Sequence, residues 1–146
     1  MNAIEYIKEH HCKDSIITKD IVLAKFCALE NNYKHSFVIP CNLLNIVYSG
    51  TKILHTVDGD IEVQSGEAFF ITKGEYVMSE VVGETEYKCL LIFFDHHLMR
   101  KLISELPFKL NTNKNIDTKN IFKFPVDAFL QNTADTLKLY LEDKPK

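Results

Sequence analysis

The sequence predicts a mainly β fold followed by two C-terminal helices, and three observations support this. All five glycines fall between Gly50 and Gly83, successively 9, 7, 8 and 9 residues apart, and each lies in a polar turn. Short runs of Val, Ile, Leu, Phe, Tyr and Thr separate the turns, a spacing typical of β-sandwiches and barrels. No proline interrupts residues 41–106, so strand pairing is allowed there. After Phe94 the hydrophobic pattern changes to a helical period.

The composition is that of an ordinary globular domain. The chain has 146 residues, of which 46% are apolar and 25% are charged, which suits one domain with a sizeable core. The sequence contains no apolar run of membrane-spanning length. Its first residues lack the basic and apolar regions of a secretory signal, so we expect a cytoplasmic protein. The four cysteines form no Cys-x-x-Cys motif, and we expect reduced, mostly buried thiols.

The charge distribution argues against direct binding of nucleic acid. Residues 42–94 hold three lysines against eight acidic residues, a net charge of −5. Residues 95–146 hold nine basic and seven acidic residues, a net charge of +2. Binding to phosphate backbones needs a basic stripe, which neither region provides. We therefore expect that this polypeptide does not bind DNA or RNA by itself.

The N-terminal part predicts one helix and three strands. Apolar spacing over residues 2–11 predicts a short helix with Asn2 as its cap. Strands are expected at residues 16–18, 21–29 and 36–39. The adjacent residues His10, His11 and Cys12 point in different directions on a helix, so we do not expect them to converge on a metal.

The central region predicts six strands joined by short turns. Asp58-Gly59 is a strong hairpin signal, and the run from Tyr87 to Phe94 is apolar enough for a central strand. The expected strands are 43–49, 51–57, 60–64, 67–72, 75–82 and 86–94.

Two amphipathic helices are expected after the strands. The first covers residues 95–106, with Asp95 as its N-cap and Pro107 ending it, before a polar loop at 109–120. The second covers residues 126–141, with Asp127 in its first turn. Its apolar stripe is heptad-like and consists of Leu130, Ala134, Leu137 and Leu141.

The central region resembles a cupin, a small β-barrel or jelly roll with two glycine-centred motifs. The first motif of that family carries a His-x-His pair and a Glu as metal ligands. Here Gly50 begins the motif, His55 stands alone, and Val57 occupies the place of a second histidine. The second motif is similar to residues 66–77, where Thr72 replaces the expected proline and Val77 replaces the histidine. The resemblance therefore implies a cupin fold without a metal or other cofactor, and no enzyme activity.

The whole pattern resembles the N-terminal sensing and dimerisation domain of AraC-type transcriptional regulators, in their virulence and secretion-regulator branch. Residues 46–52, 65–74 and 90–95 carry this resemblance. It implies a cupin-like β domain at 1–94, a helical dimerisation segment at 95–142 and the start of a linker at 143–146. The helix-turn-helix domains of the family would follow, so DNA would be bound only through a domain absent from this sequence.

The resemblance also implies two candidate sites. A homodimer is expected to form through Leu130, Ala134, Leu137 and Leu141. The sequence leaves open whether this stripe packs on a second subunit or on the barrel of its own chain. If position 77 follows the family's histidine, Val77 and Ser79 point inward, and a small effector could meet Tyr48, His55, Val77 and Ser79. A filled core without a ligand remains the alternative for the barrel, and a regulatory protein is the alternative effector. A stand-alone, metal-free cupin that binds or converts a small molecule is the alternative function.

Overall fold

A computed structural model describes residues 1–10, 14–98, 100 and 121–142 of the chain. Its helices are α1 Ala3–His10 and α2 Ala128–Glu142. Its strands are β1 Ser15–Ile17, β2 Ile21–Ala28, β3 Asn32–Ile39, β4 Asn42–Ser49, β5 Thr51–Thr56, β6 Gly59–Gln64, β7 Glu67–Ile71, β8 Gly74–Val81, β9 Tyr87–Phe94 and β10 Ile121–Pro125.

The strands form two antiparallel sheets that pack face to face. One sheet has the order β1-β2-β9-β4-β7-β10, and the other has the order β3-β8-β5-β6. Side chains from both sheets meet in one core, where Phe69, Tyr87 and Phe93 are almost completely buried. The mainly β, cupin-like prediction is confirmed, as a jelly-roll-like sandwich of two sheets among the described residues.

The six predicted central strands are confirmed to within one residue at each end. Two differences lie outside them. Strand β3 begins at Asn32 rather than at 36. A bulge at Lys34, which has a φ of 50°, shifts the register, and beyond it the strand continues to pair with β8 as far as Asn32. Strand β10 was not predicted as a strand, and it pairs with β7 through Ile121 and Ile71.

The turn between β4 and β5 requires glycine. Gly50 has a φ of +81°, a region that favours glycine over other residues. A Cβ atom at this position would lie 2.5 Å from the carbonyl oxygen of Val81. The close approach of these two backbones therefore holds the β4–β5 turn against the end of β8.

Side-chain caps begin the helices as expected. The Oδ1 atom of Asn2 accepts hydrogen bonds from the N–H groups of Ile4 and Glu5 at the start of α1. Asp95 accepts from the N–H of Leu98, and residues 96–98 are helical. Most of the helix predicted at 95–106 lies outside the described residues.

Helix α2 begins two residues later than predicted, at Ala128. Asp127 precedes it as the N-cap, and its Oδ1 accepts a 2.8 Å hydrogen bond from the N–H of Leu130. The N–H of Val126 donates to the carbonyl of Gly66, which ties the start of α2 to the β6–β7 turn. From there α2 runs across the outer face of the six-stranded sheet.

Candidate functional site

The interior of the sandwich contains a buried ionic cluster. The carboxylate of Glu80 on β8 is 1% exposed and lies 2.8 Å from the ammonium of Lys52 on β5. The Nε2 atom of His35 on β3 lies 2.7 Å from the same Glu80 oxygen. Burial alone would raise the pKa of Glu80, but Lys52 and His35 together lower it below its usual range. Glu80 is therefore held as a buried carboxylate between two basic groups.

This cluster lies beside a small cavity in the core. The cavity has a volume of about 50 Å³, and its polar lining is formed by Asn45, Lys52 and Glu80. Asn45 is 1% exposed, and its amide lies beside Tyr87 and Cys89 and interacts with both. Together with Lys52 and Glu80, it makes this the polar end of a cavity that is otherwise apolar.

A second polar cluster lies on the outer face of the four-stranded sheet. His55 accepts or donates at both ring nitrogens: Nδ1 lies 2.8 Å from Oδ1 of Asp60, and Nε2 lies 2.7 Å from Oγ of Ser79. The N–H of Lys34, in the β3 bulge, donates to the same Ser79 hydroxyl. The order of groups is that of a Ser-His-Asp triad, but Ser79 is only 1% exposed. The cluster therefore joins strands β3, β8, β5 and β6 rather than presenting a nucleophile to solvent.

The predicted inward orientation of Val77 and Ser79 is wrong. Leu54 and Met78 pair across β5 and β8, and both are buried in the core. Because side chains alternate along a strand, His55, Val77 and Ser79 lie on the opposite, outer face. Val77 is 38% exposed there, and Ser79 is buried beneath the β3 bulge.

The four predicted ligand residues are not brought together. Tyr48 packs with α2 on the outer face of the six-stranded sheet, whereas His55, Val77 and Ser79 lie on the outer face of the other sheet. The thickness of the sandwich separates the two groups, so they cannot line one pocket. The polar residues that do face the interior are Asn45, Lys52 and Glu80, which the sequence analysis missed.

Tyr48 lies in an unusual position on its sheet. The register between β4 and β9 shifts between Val47 and Ser49, so Tyr48 is the bulged residue. The ammonium of Lys138 lies 3.9 Å from the centre of its ring. Burial, followed by the charge of Asp135, raises the pKa of Tyr48 to about 12, so its hydroxyl stays protonated at neutral pH.

The apolar stripe of α2 packs on the chain's own sheet. Ala134 and Leu141 are buried, and Leu130 and Leu137 are partly buried in the same cluster. This cluster includes Leu23, Ile46 and Leu90 from the six-stranded sheet. The residues expected to form a dimer seam therefore pack on the chain's own six-stranded sheet. The sequence left open whether this stripe faces the sandwich or a second subunit, and here it faces the sandwich.

Helix α2 exposes three large apolar side chains, with Leu139 opposite the buried stripe and Phe129 and Tyr140 on one flank of the helix. Phe129 is 80% exposed, Leu139 is 58% exposed and Tyr140 is 63% exposed. Phe129 and Tyr140 are about three turns apart and therefore share one side of the helix. We call Phe129, Leu139 and Tyr140 the outer stripe of α2.

The structure also bears on three other features of the sequence, namely possible metal ligands, the cysteines and membrane-spanning segments. Among the described residues, no group of three or more His, Cys, Asp and Glu side chains is arranged to hold a metal ion. Cys27, Cys41 and Cys89 are free thiols, but only Cys89 is buried, Cys41 is half-buried and Cys27 is exposed, so the expectation of mostly buried thiols is wrong for the described cysteines. Burial raises the pKa of Cys89 to about 11. The residues His11 and Cys12 lie outside the described part of the chain. No described helix is long and apolar enough to cross a membrane.

The fold and its covering helix define a class of protein. A cupin-like sandwich whose C-terminal helix lies on one sheet is the architecture expected for the N-terminal domain of an AraC-type regulator, and the comparisons confirm this class. The chain belongs to the family of ExsA N-terminal regulatory domains, whose family model matches residues 42–146. No curated protein sequence matches the chain.

Solved structures of ToxT from Vibrio cholerae share the fold. Apo ToxT K231A from strain SCE256 superposes with a TM-score of 0.64 at 8% identity, covering 88% of this chain and 49% of that one. Wild-type ToxT with a bound unsaturated fatty acid gives 0.61 at 8% identity, covering 86% and 47%. ToxT from O395, bound to (E)-4-(8-methylnaphthalen-1-yl)but-3-enoic acid, gives 0.58 at 10% identity, covering 88% and 51%. The chain therefore spans about half the length of these structures.

Proposed function

We propose that this regulatory domain serves a DNA-binding transcription regulator by pairing two copies of it. The family match over residues 42–146 carries the proposal. In such a regulator, two-fold pairing of the regulatory domains sets the spacing of two DNA-binding domains on their half-sites. DNA contact belongs to those domains, which agrees with the acidic charge of residues 42–94.

The outer stripe of α2 is the surface that we propose for pairing. Its three side chains are large, apolar and more than half exposed. Exposed apolar side chains along one helix offer a surface on which a second copy can pack. The buried stripe is excluded from this role while α2 rests on the sheet, because Ala134 and Leu141 already pack there.

The signal that we propose is an effector that enters the interior cavity. Two of the similar ToxT structures carry an organic acid, and this supports an effector of the same chemical class for the related fold of this chain. In this chain, a carboxylate in the cavity would meet the amide of Asn45 and would compete with Glu80 for the ammonium of Lys52. The present volume of about 50 Å³ accommodates only a small group, so a larger ligand requires the sheets to separate.

We also infer that the domain acts by binding rather than by catalysis, and that it works in the cytoplasm, where a regulator meets its DNA. The family is one of regulatory domains. The Ser79–His55–Asp60 cluster supports a structural role because its hydroxyl is buried. A stand-alone cupin that converts a small molecule is the competing function.

Sedimentation velocity of the purified chain tests the pairing. The wild-type chain should form a dimer, and replacing Phe129 and Tyr140 together by Ser should shift it to monomer. The matched control is Leu29→Ser, which removes a 74% exposed leucine from the β2–β3 turn, away from α2. A dimer that survives the double substitution, or a wild-type chain that is monomeric at high concentration, contradicts the proposed surface.

Native mass spectrometry of the same samples addresses the signal. A small acid retained by the wild-type chain and lost in Lys52→Met supports the interior effector site. Retention of the acid in both proteins places the ligand elsewhere. Turnover of such a molecule by the purified chain favours the stand-alone cupin instead.

A further inference from the structure

A large cleft lies outside the sandwich, between the C-terminal half of α2 and the outer face of the six-stranded sheet. Its volume is about 570 Å³, within the range of small-molecule sites. Its polar lining comes from three different strands and from α2, and it includes three lysines and one phenol. These residues are Lys25, Lys88, Lys138, Tyr48, Asp14 and Glu142.

The Tyr48 hydroxyl is the most unusual polar group of this cleft. It is shielded from solvent and makes no hydrogen bond with the described residues. The β-bulge at Tyr48 directs this side chain out of the regular ladder, and bulges often serve to re-aim a side chain at a site. A buried donor without a partner is unfavourable, so the position favours an acceptor from outside the chain.

Three lysines line the same cleft as Tyr48. Lys138 lies over the Tyr48 ring, and Lys25 and Lys88 extend from neighbouring strands β2 and β9 into the same cleft. Asp14 and Glu142 are the acidic residues of the lining, and Glu86 and Asp135 lie beside it as the partners of Lys88 and Lys138. The lysines of the cleft are therefore balanced by carboxylates, so an anion would bind there only by displacing these partners.

The lysines are only weakly committed to their present partners. Lys25 lies 3.9 Å from Glu142, and Lys138 lies 3.6 Å from Asp135, both at partly exposed positions. Lys88 is closer to its partner, 2.9 Å from Glu86, but half of its side chain is exposed. Exposed pairs of this kind contribute little to stability, so a ligand with two negative charges can compete with single carboxylates for the ammonium groups.

We propose that this cleft binds a small organic phosphate. A phosphoryl group carries up to two negative charges and three acceptor oxygens, which match three ammonium groups and one hydroxyl. The rest of such a molecule would lie along the ring of Tyr48, which lines the cleft. The cleft opens on the opposite side of the six-stranded sheet from the interior cavity, although Phe26 and Cys89 line both.

Occupancy of the cleft would join α2 to the sheet. Lys138 belongs to α2, whereas Lys25 and Lys88 belong to the sheet, so one phosphate bridges both. Joining α2 to the sheet would also hold the outer stripe in place for pairing, and this consequence rests on the proposed pairing function. The binding itself does not, because it requires neither a dimer nor DNA.

An NMR titration of the full chain at constant ionic strength tests the site. The probes are inorganic pyrophosphate and adenosine 5′-diphosphate, which distinguish free phosphate groups from an organic phosphate, and citrate is the comparison anion. We expect saturable shifts of the amides of Lys25, Tyr48 and Lys88, with tighter binding of the nucleotide. Lys138→Gln and Tyr48→Phe should each weaken that binding about tenfold, which equals about 1.4 kcal/mol. Lys73→Gln, which removes an exposed lysine in the β7–β8 turn, should leave it unchanged.

Three results would overturn the proposal. The first is the absence of saturable shifts at millimolar probe. The second is citrate binding as tightly as the phosphates. The third is equal binding by the Tyr48→Phe, Lys138→Gln and Lys73→Gln proteins. Each is read from binding alone, so a failure of the pairing proposal cannot be mistaken for a failure of this one.

Discussion

Replacing Lys52 by Met tests the account of the buried cluster. The substitution keeps most of the side-chain volume but removes the ammonium that lies 2.8 Å from the carboxylate of Glu80. Two unit charges at this 2.8 Å separation attract by about 6 kcal/mol at an effective dielectric constant of about 20. Desolvation of both groups opposes this attraction. Breaking such a pair from one side typically costs about 3–5 kcal/mol of unfolding free energy, and we expect the lower end because His35 still contacts Glu80.

The pH dependence gives the sharper test. In the wild-type chain the pKa of Glu80 is lowered, so its contribution to stability is complete above the ordinary carboxyl pKa and is lost as the pH falls through the lowered value. Without Lys52, burial is no longer offset by that ammonium, and the pKa of Glu80 should rise. The carboxyl group then becomes protonated at higher pH, which relieves the unpaired charge. The difference in unfolding free energy between the wild-type and Lys52→Met proteins should therefore be largest near neutral pH and should shrink as the pH falls toward 5.

Urea unfolding monitored by circular dichroism, at several pH values, measures both quantities. The control is Lys73→Met, which removes an exposed lysine and should change stability by less than about 0.5 kcal/mol. The double variant Lys52→Met with Glu80→Leu should recover much of the loss, because no buried charge remains. A loss below about 1 kcal/mol near neutral pH, or a loss that is the same at every pH, would refute this reasoning.

Two further predictions concern the framework. Gly50→Ala should destabilise the chain more than Gly66→Ala, by at least about 1 kcal/mol, since both have positive φ but only position 50 brings a Cβ to 2.5 Å from a backbone oxygen; equal losses in urea unfolding would contradict the close approach. Leu141→Ala should lower the free energy of unfolding by about 2–5 kcal/mol, because Leu141 is 4% exposed on the side of α2 that faces the sheet. The matched change Leu29→Ala, at a 74% exposed position in the β2–β3 turn, should cost less than about 0.5 kcal/mol, and equal losses in thermal unfolding would contradict the burial of Leu141.

Local signals in the sequence located the central strands and the helix caps. The glycine turns separate strands because tight turns need residues that adopt positive φ, as Gly50, Gly59 and Gly66 do. Caps at Asn2 and Asp95 are equally local, since each side chain bonds to N–H groups within three residues. Features of this kind depend on neighbouring residues alone, which is why they could be predicted.

The interior site depends on residues that are distant in sequence. Lys52 and Glu80 each look unsuited to a core, because a lone buried charge is strongly unfavourable. Only the pairing of β5 with β8 shows that the two charges compensate each other. The phase of β8 was misassigned from the position of a missing family histidine at Val77, whereas the apolar Met78 occupies the inward side. Strand β10 was missed because its hydrogen-bonding partner is β7, about fifty residues earlier.

The length of α2 determines how a change in the sheet would reach the end of this helix. Its 15 residues extend about 22 Å, close to the roughly 19 Å that separate β10 from β2 across four strand spacings. The helix is tied at one border by the Val126–Gly66 hydrogen bond and reaches Lys25 on β2 at the other. A rod of this length, hydrogen-bonded at one border and only weakly paired at the other, turns when the strands beneath it change their mutual angle. A shift of a few degrees in the sheet would thus become a displacement at Glu142, the last described residue of the helix.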